Sequence, residues 1–276
     1  MAIGAGDRYT FYGVVNASGK VIGSTADGAS AGAVQGLARL EGGRVFPTNI
    51  PDTDKLIVSG DDQPLVQFQF DPEGLPQGTL EFAVRNATFE ALVQGTVVET
   101  VGEMTMGVLQ PADRADVDLC FFVERHSKKW VAGARGVKAW EIAVIPRAQV
   151  VPQYTDIQMR TFNPYKYSMV MSKSDLKPWG ASLTEGLNGT TQAPMFVIDA
   201  DNPIFMDVVR GNASQTVFAL TYAPKSAAKL AVFDLNGVKL ALTTHYTLSG
   251  STLTFLSAPA SGYAAAFYEV DESLLS

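Results

Sequence analysis

Apolar and polar residues alternate in short stretches along most of this chain. Residues 65–70 and 79–84 each alternate with a period of two, which predicts strands that bury one face of a sheet. Residues 9–22 contain two apolar stretches around an Asn-Ala-Ser-Gly turn, which predicts a hairpin. Residues 118–130 and 136–152 predict a second, longer hairpin.

The pattern becomes most regular after residue 216. Five short strand-like segments follow one another, separated by turn residues, and Asn236-Gly237 is the strongest hairpin signal in the chain. Residues 246–263 alternate on both sides of a Ser-Gly-Ser turn and contain no reactive side chain. These segments predict a small β-sandwich.

One stretch has a helical pattern instead. Asn86 or Thr88 can cap a helix ahead of Phe89, and Gly95 can end it after about two turns. Residues 23–54, by contrast, are rich in small residues and are interrupted by Gly, Pro, Asn and Asp. They predict a long loop, and a loop of this length is usually functional or orders against a partner.

These elements predict an all-β, mainly antiparallel fold with two domains. Residues 1–212 are expected to form a sandwich-like or barrel-like domain that contains the short helix and the loop 23–54. Residues 213–276 are expected to form a small Ig-like β-sandwich module. The 276 residues include 46% hydrophobic residues, which is enough for packed cores of this size.

Charge and leader patterns exclude several classes of protein. The net charge is −7, and the densest basic stretch is Lys128-Lys129, which we interpret as a solvated hairpin tip. Stable nucleic-acid binding requires a basic stripe that the sequence lacks. The first residues lack the charged and apolar regions of a signal peptide, and no apolar run is long enough to predict a transmembrane helix.

Few residues suggest chemistry. The two histidines, His126 and His245, have no second ligand at metal-binding spacing, and the single cysteine, Cys120, lies in an apolar run that predicts a buried thiol. The clustered carboxylates lie among turn-forming residues, where aspartate caps backbone amides; they are Asp61, Asp62, Asp113, Asp116 and Asp118. We therefore predict no catalytic, cofactor-binding or metal-binding residue, and no enzyme.

The aromatic residues suggest carbohydrate stacking only weakly. Most of them are predicted to be core residues, namely Trp130, Trp140, Phe121, Phe122, Tyr165 and Tyr167. Trp179, within Lys-Pro-Trp-Gly, is as well explained by a core position as by an exposed position that anchors a subunit contact.

Three segments resemble a known family. Residues 65–96 (LVQFQFDPEGLPQGTLEFAVRNATFEALVQGT) and 136–152 (GVKAWEIAVIPRAQVVP) resemble the tail tube, or major tail, proteins of long-tailed bacteriophages. Residues 233–270 are similar to the small Ig-like β-modules appended to many virion structural proteins.

The resemblance implies self-assembly. Subunits of that family form hexameric rings that stack into the hollow tail tube through which phage DNA passes. It implies that the loop 23–54 is an arm between rings and that the C-terminal module projects outward. The expected partners are further copies of the chain, other tail proteins and, transiently, DNA in the lumen, without membrane insertion. The expected location is the virion tail, after synthesis in the host cytoplasm. The alternatives are a capsid decoration, adaptor or collar protein, or a carbohydrate-binding β-sandwich.

Overall fold

Antiparallel pairing dominates the structure of this chain. A computed structural model describes residues 7–49, 55–60, 63–69, 77–94, 96–102, 104–109, 117–131, 134–153, 165–172, 174–175, 192–193 and 195–275. Its strands pair antiparallel, with one isolated parallel bridge between Leu242 and Tyr246. The prediction of an all-β, mainly antiparallel fold is confirmed.

Twenty-two strands and one α-helix make up the described elements, with short 3₁₀ helices at Ala227–Lys229 and Glu272–Leu274. The first eleven strands are β1 (Asp7–Val15), β2 (Val21–Gly23), β3 (Val34–Gly36), β4 (Ala38–Arg39), β5 (Arg44–Asn49), β6 (Lys55–Gly60), β7 (Gln63–Gln69), β8 (Gln77–Phe82), β9 (Thr96–Val101), β10 (Met104–Leu109) and β11 (Asp118–Val131). The others are β12 (Ala134–Gln153), β13 (Tyr165–Met171), β14 (Ser174–Asp175), β15 (Gln192–Ala193), β16 (Phe196–Ala200), β17 (Ile204–Gly211), β18 (Val217–Ala219), β19 (Leu230–Phe233), β20 (Tyr246–Ser249), β21 (Thr252–Phe255) and β22 (Gly262–Glu269). Helix α1 spans Ala87–Gln94.

A nine-stranded sheet, which we call the central sheet, organises the first half of the fold. Its order is β2-β1-β11-β12-β13-β8-β5, with β4 paired to β1 and β16 paired to β12. Both hairpins predicted from the sequence are confirmed, since β1 pairs with β2 and β11 pairs with β12. In the first of these turns, the Asn16 side chain accepts hydrogen bonds from the N–H groups of Ser18 and Lys20.

The central sheet is buried on both faces, which explains the continuous apolar run at residues 119–123. Phe121 belongs to a core that includes helix α1, and Phe122 belongs to a core shared with residues 204–275. We call these the helix-side core and the sandwich-side core. A strand that is covered on both sides needs apolar residues at consecutive positions, not at alternate ones.

Helix α1 begins where the sequence predicts. The Asn86 side chain accepts a hydrogen bond from the N–H of Phe89 at 2.9 Å, so Asn86 and not Thr88 is the N-cap. Phe89 is fully buried, and its ring meets that of Tyr12 edge-on with centroids 4.9 Å apart. This contact helps to hold the helix on the central sheet. The predicted end at Gly95 lies outside the described residues.

The five segments predicted after residue 216 all form strands, β18 to β22. They build two sheets, β19-β22-β17-β3 and β18-β21-β20, which we call together the C-terminal sandwich. β20 and β21 form the predicted hairpin, and Gly250 in its turn has a φ of 58°, which glycine adopts at little cost.

The C-terminal sandwich begins earlier than the predicted boundary at 212/213. That boundary assigns β17 to the first domain, whereas β17 pairs with β22 from Ile204 opposite Glu269 to Gly211 opposite Gly262. Seven of the eight residues of β17 are buried, so the strand carries no alternation that would link it to the later ones. The sandwich is also not self-contained, because Phe205 meets Phe11 of the central sheet edge-on at 5.3 Å.

The prediction of a long loop at residues 23–54 is wrong over residues 34–49, which contain three strands, whereas residues 24–33 form turns without a strand. β3 pairs with β17, β4 with β1 and β5 with β8, so this segment connects the C-terminal sandwich to the central sheet. Leu37 is buried in the sandwich-side core and Leu40 in the helix-side core. Strands this short, separated by glycines, show no readable periodicity in the sequence. Residues 50–54 lie outside the described residues.

Candidate functional sites

Two hairpins have outer edges that pair with no other strand in the parts of the chain that the structure describes. β6 pairs only with β7, and β9 pairs only with β10. A two-stranded sheet is marginally stable in water by itself, and an unpaired edge is a template for pairing with another chain. The two hairpins are therefore candidate assembly edges.

The register of the first hairpin is given by its backbone pairing, which places Leu56 opposite Phe68 and Val58 opposite Val66.

The outer part of the β11–β12 hairpin is a third candidate edge. Beyond residues 126 and 140, these strands pair only with each other among the described residues. Lys128 and Lys129 lie within strand β11 near the end of the hairpin and not in its turn, and Lys128 is opposite Lys138 in the backbone register. The predicted exposure of their side chains lies outside what the structure describes.

A pocket of about 290 Å³ opens in the C-terminal sandwich. Its lining comes from residues 234–245, between β19 and β20, and from residues 255–264, which run from the end of β21 into β22. Phe255 and Ala264 are the buried part of that lining, and Leu235 and Leu240 add aliphatic surface. Leu256 lies at the rim and is 56% exposed. The pocket is therefore mainly apolar, as binding pockets usually are.

Two polar side chains in the pocket have fixed hydrogen bonds. One carboxylate oxygen of Asp234 accepts hydrogen bonds from the N–H groups of Asn236 and Val238, both at 2.8 Å. The Nδ1 atom of His245 accepts a hydrogen bond from the N–H of Ala241 at 3.1 Å.

The backbone beside the pocket is strained. Thr243 has a φ of 66°, a left-handed conformation that is rare for a β-branched residue, and its N–H donates to the carbonyl of Tyr246 at 2.7 Å. A residue of this kind costs about 1–3 kcal/mol and persists where its surroundings hold it in place. Thr244 and His245, which follow directly, both line the pocket.

Of the carboxylates predicted to cap turns, the structure describes only Asp118. Asp118 does not cap a turn: it begins β11 and forms an ion pair with Arg147, whose Nε lies 2.7 Å from Oδ2. The prediction of a turn role for Asp118 is therefore wrong. The other predicted carboxylates lie outside the described residues, namely Asp61, Asp62, Asp113 and Asp116.

The predicted histidine and cysteine positions have structural surroundings. The His126 ring lies against Trp140 with centroids 4.1 Å apart, and its Nε2 is 3.5 Å from a carboxylate oxygen of Glu272. Cys120 is fully buried as predicted, and burial raises the pKa of its thiol to about 12. Within the described residues, no group of three or more His, Cys, Asp and Glu side chains could hold a metal ion.

Most of the predicted core aromatics are confirmed. Four of them are buried, namely Phe121, Phe122, Trp140 and Tyr167. Tyr165 is 38% exposed and stacks on Phe82 at a centroid distance of 5.5 Å, so its assignment to the core is wrong. The side chain of Trp130 and the whole of Trp179 lie outside what the structure describes.

Sequence reasoning missed two buried carboxyl groups in the sandwich-side region. One oxygen of Glu124 accepts a hydrogen bond from the N–H of Ile204 at 2.9 Å, and the other has no partner among the described residues. Burial raises the pKa of Glu124 well above its ordinary value. Asp207 accepts hydrogen bonds from the hydroxyl groups of Tyr268 and Thr221, both at 2.6 Å, and burial still raises its pKa.

Comparison with known proteins identifies no relative: no family model, no curated protein and no solved structure matches the chain. Among the described residues, none of the helices is long and apolar enough to cross a membrane.

Proposed function

We propose that this chain is a structural virion protein whose copies assemble into stacked hexameric rings, forming the tail tube of a long-tailed bacteriophage. Further copies of the chain and other tail proteins are its partners, and DNA passes through the lumen. The observation that carries the proposal is the pair of hairpins β6–β7 and β9–β10, whose outer edges pair with no described strand.

Ring closure would give these edges partners. If the hairpins of neighbouring copies pair side by side, the ring has no free edge, and a closed barrel is the arrangement that removes edges altogether. Stacking of rings is a head-to-tail contact that repeats without closing, so it produces a tube of indefinite length.

The role of residues 23–49 in this proposal differs from the flexible arm that the resemblance implies. Their strands are paired within the chain, and Leu37 and Leu40 are buried. Deleting residues 26–48 would therefore damage both cores, and loss of assembly would not report on a contact between rings.

Lysine substitutions in the hairpins test the proposed assembly more directly than such a deletion, because lysine on an edge strand discourages pairing between chains. We would compare Ile57→Lys and Val98→Lys, in β6 and β9, with the control Val84→Lys, because Val84 is 51% exposed and lies outside the strands. Negative-stain electron microscopy of concentrated protein should show rings or tubes for wild type and the control, and dispersed folded monomers for the hairpin variants. Wild-type protein that stays monomeric when concentrated with its virion partners would contradict the proposal.

A further inference from the structure

Residues 271–275, which we call the 3₁₀ segment, follow β22 and contact the central sheet at two points. The carbonyl oxygen of Leu275 accepts a hydrogen bond from Nη1 of Arg39, in β4, at 2.6 Å. A carboxylate oxygen of Glu272 lies 3.5 Å from Nε2 of His126, in β11. Leu275 is buried in the sandwich-side core. The 3₁₀ segment therefore joins that core to two strands of the central sheet.

A stack of rings connects the two contact points. The guanidinium of Arg39 lies 4.8 Å from the centroid of the Tyr9 ring. Tyr9 stacks on Trp140 with centroids 5.8 Å apart, and the His126 ring lies 4.1 Å from Trp140 on the other side of the pair. The 3₁₀ segment thus contacts both ends of one stack, where a permanent guanidinium cation stands at one end and an imidazole at the other.

Only the imidazole end changes its charge near neutral pH. Histidine ordinarily titrates at about pH 6.5, whereas arginine stays charged. A protonated ring at position 126 is attracted by the carboxylate of Glu272 and by the indole of Trp140. We propose that His126 is a pH-dependent clasp, whose protonation tightens the 3₁₀ segment against the central sheet. This inference goes beyond the proposed function and does not depend on it.

Glu124 is a second titratable group on this face of β11. It lies two positions before His126, so both side chains belong to the same face of the strand, and it is fully buried. Burial raises the pKa of Glu124 well above its ordinary value, so the carboxyl group stays protonated in weak acid. Once ionised, Glu124 would itself attract a protonated His126. The clasp is therefore best tested in a Glu124→Gln background.

The other titratable positions near His126 keep their charge between about pH 5 and 8. Aspartate and glutamate ordinarily titrate below this range, and tyrosine, lysine and arginine above it. These positions are Asp7, Arg8 and Tyr9 on β1, Arg125, Lys128 and Lys129 on β11, Lys138 and Glu141 on β12, Arg39 on β4, and Asp271 and Glu272 in the 3₁₀ segment. A change in the 3₁₀ segment within that range, in the Glu124→Gln background, therefore reports on His126.

Nuclear magnetic resonance of the full-length protein tests the clasp. The chain has two histidines, His126 and His245, so a His126→Gln variant assigns the ring signals. In the Glu124→Gln background, adding Glu272→Gln should move the midpoint of the His126 ring titration to lower pH by about 0.5 unit, as expected for a partly exposed pair. Asp201→Asn is the matched control, because the Asp201 side chain is a carboxylate that is 77% exposed, and it should leave the midpoint unchanged.

Amide exchange measures whether the 3₁₀ segment itself tightens. The N–H groups of Leu274 and Leu275 donate to carbonyl groups within the segment, at 3.0 and 3.1 Å. After correction for intrinsic exchange, their protection should fall about two- to fivefold from about pH 5.5 to about pH 8. The same protection should not vary with pH in His126→Gln or in Glu272→Gln.

The pH dependence separates a clasp from a purely structural role of His126. A structural role predicts that His126→Gln lowers the protection of the 3₁₀ segment at every pH, while the protection in the His126 protein is independent of pH. That result would overturn the inference. An unchanged ring titration in Glu272→Gln, or an equal pH dependence of protection with and without His126, would overturn it as well.

Discussion

Leu37 packs directly over Gly13, and this pair gives a quantitative test of how residues 23–49 are anchored. A Cβ atom built on Gly13 would lie 2.5 Å from Cδ2 of Leu37, 3.0 Å from Sγ of Cys120 and 3.1 Å from Cγ1 of Val21. The first distance is too short for any real contact, so Gly13→Ala must displace Leu37. Overpacking of this kind costs about 1–3 kcal/mol of the free energy of unfolding.

The second change removes the residue that is displaced. Leu37 is buried in the sandwich-side core, so Leu37→Ala should cost about 2–5 kcal/mol through lost burial and a new cavity. In the double variant the clash disappears, and the methyl group introduced at position 13 fills part of that cavity. We therefore expect the double variant to be about 1–2 kcal/mol more stable than the sum of the single losses predicts, within the usual range for contacting residues.

Urea unfolding of the four proteins, followed by intrinsic fluorescence and circular dichroism, measures this coupling. The matched control combines Gly13→Ala with Leu40→Ala, because Leu40 is buried in the helix-side core and is not among the three nearest neighbours of a Cβ at position 13. The control pair should be additive within about 0.5 kcal/mol. Additivity of Gly13→Ala and Leu37→Ala would refute the packing of Leu37 against β1.

Three further changes test other parts of the fold. Burial raises the pKa of Glu124, so the free energy of unfolding includes its full contribution below about pH 4.3 and loses it as the pH rises towards the folded-state pKa. Glu124→Gln does not titrate. In urea unfolding, its free energy of unfolding should therefore rise relative to that of wild type as the pH increases above about 4. Asn86→Ala should cost about 1 kcal/mol in thermal unfolding because the N–H of Phe89 loses its cap, whereas Asn86→Asp should retain most of the stability. Tyr268→Phe removes a donor to the buried Asp207 and should cost about 1–3 kcal/mol in urea, with Tyr263→Phe at a less buried position as the control.

Strands that bury one face could be predicted from the sequence. Strands that are buried on both faces could not be assigned to their sheets. β8 alternates and buries Gly78, Leu80 and Phe82 on one face, as its pattern predicts. β17 is buried almost throughout, so its pattern gives no sign that it belongs with β22. Pairings as distant as β3 with β17 also leave no local signal, because two short apolar segments can pair in many ways.

The candidate sites likewise combine features that the sequence signals with contacts that only the tertiary fold creates. Asn236-Gly237 predicts a hairpin, but the structure forms only a turn there, with an isolated bridge between Phe233 and Lys239. Asn236 in that turn lines the pocket, and the pocket also needs residues 255–264, which only the tertiary fold brings next to it. Glu124 follows an apolar run on the same strand face as Phe122, and this position is the one signal that could have indicated its burial. Its contact with Ile204 spans 80 residues and has no counterpart in any motif.

The pairing of β3 with β17 also delays the completion of the fold during synthesis. Gly36 lies opposite Asp207, so β3 leaves the ribosome long before its partner strand exists. At about 5–20 residues per second, the interval is roughly 10–30 s. During that time Leu37 has no sandwich-side core to enter, and the C-terminal sandwich cannot be completed until β22 has been made. A nascent chain therefore cannot complete the C-terminal sandwich until almost all of its residues have been synthesised.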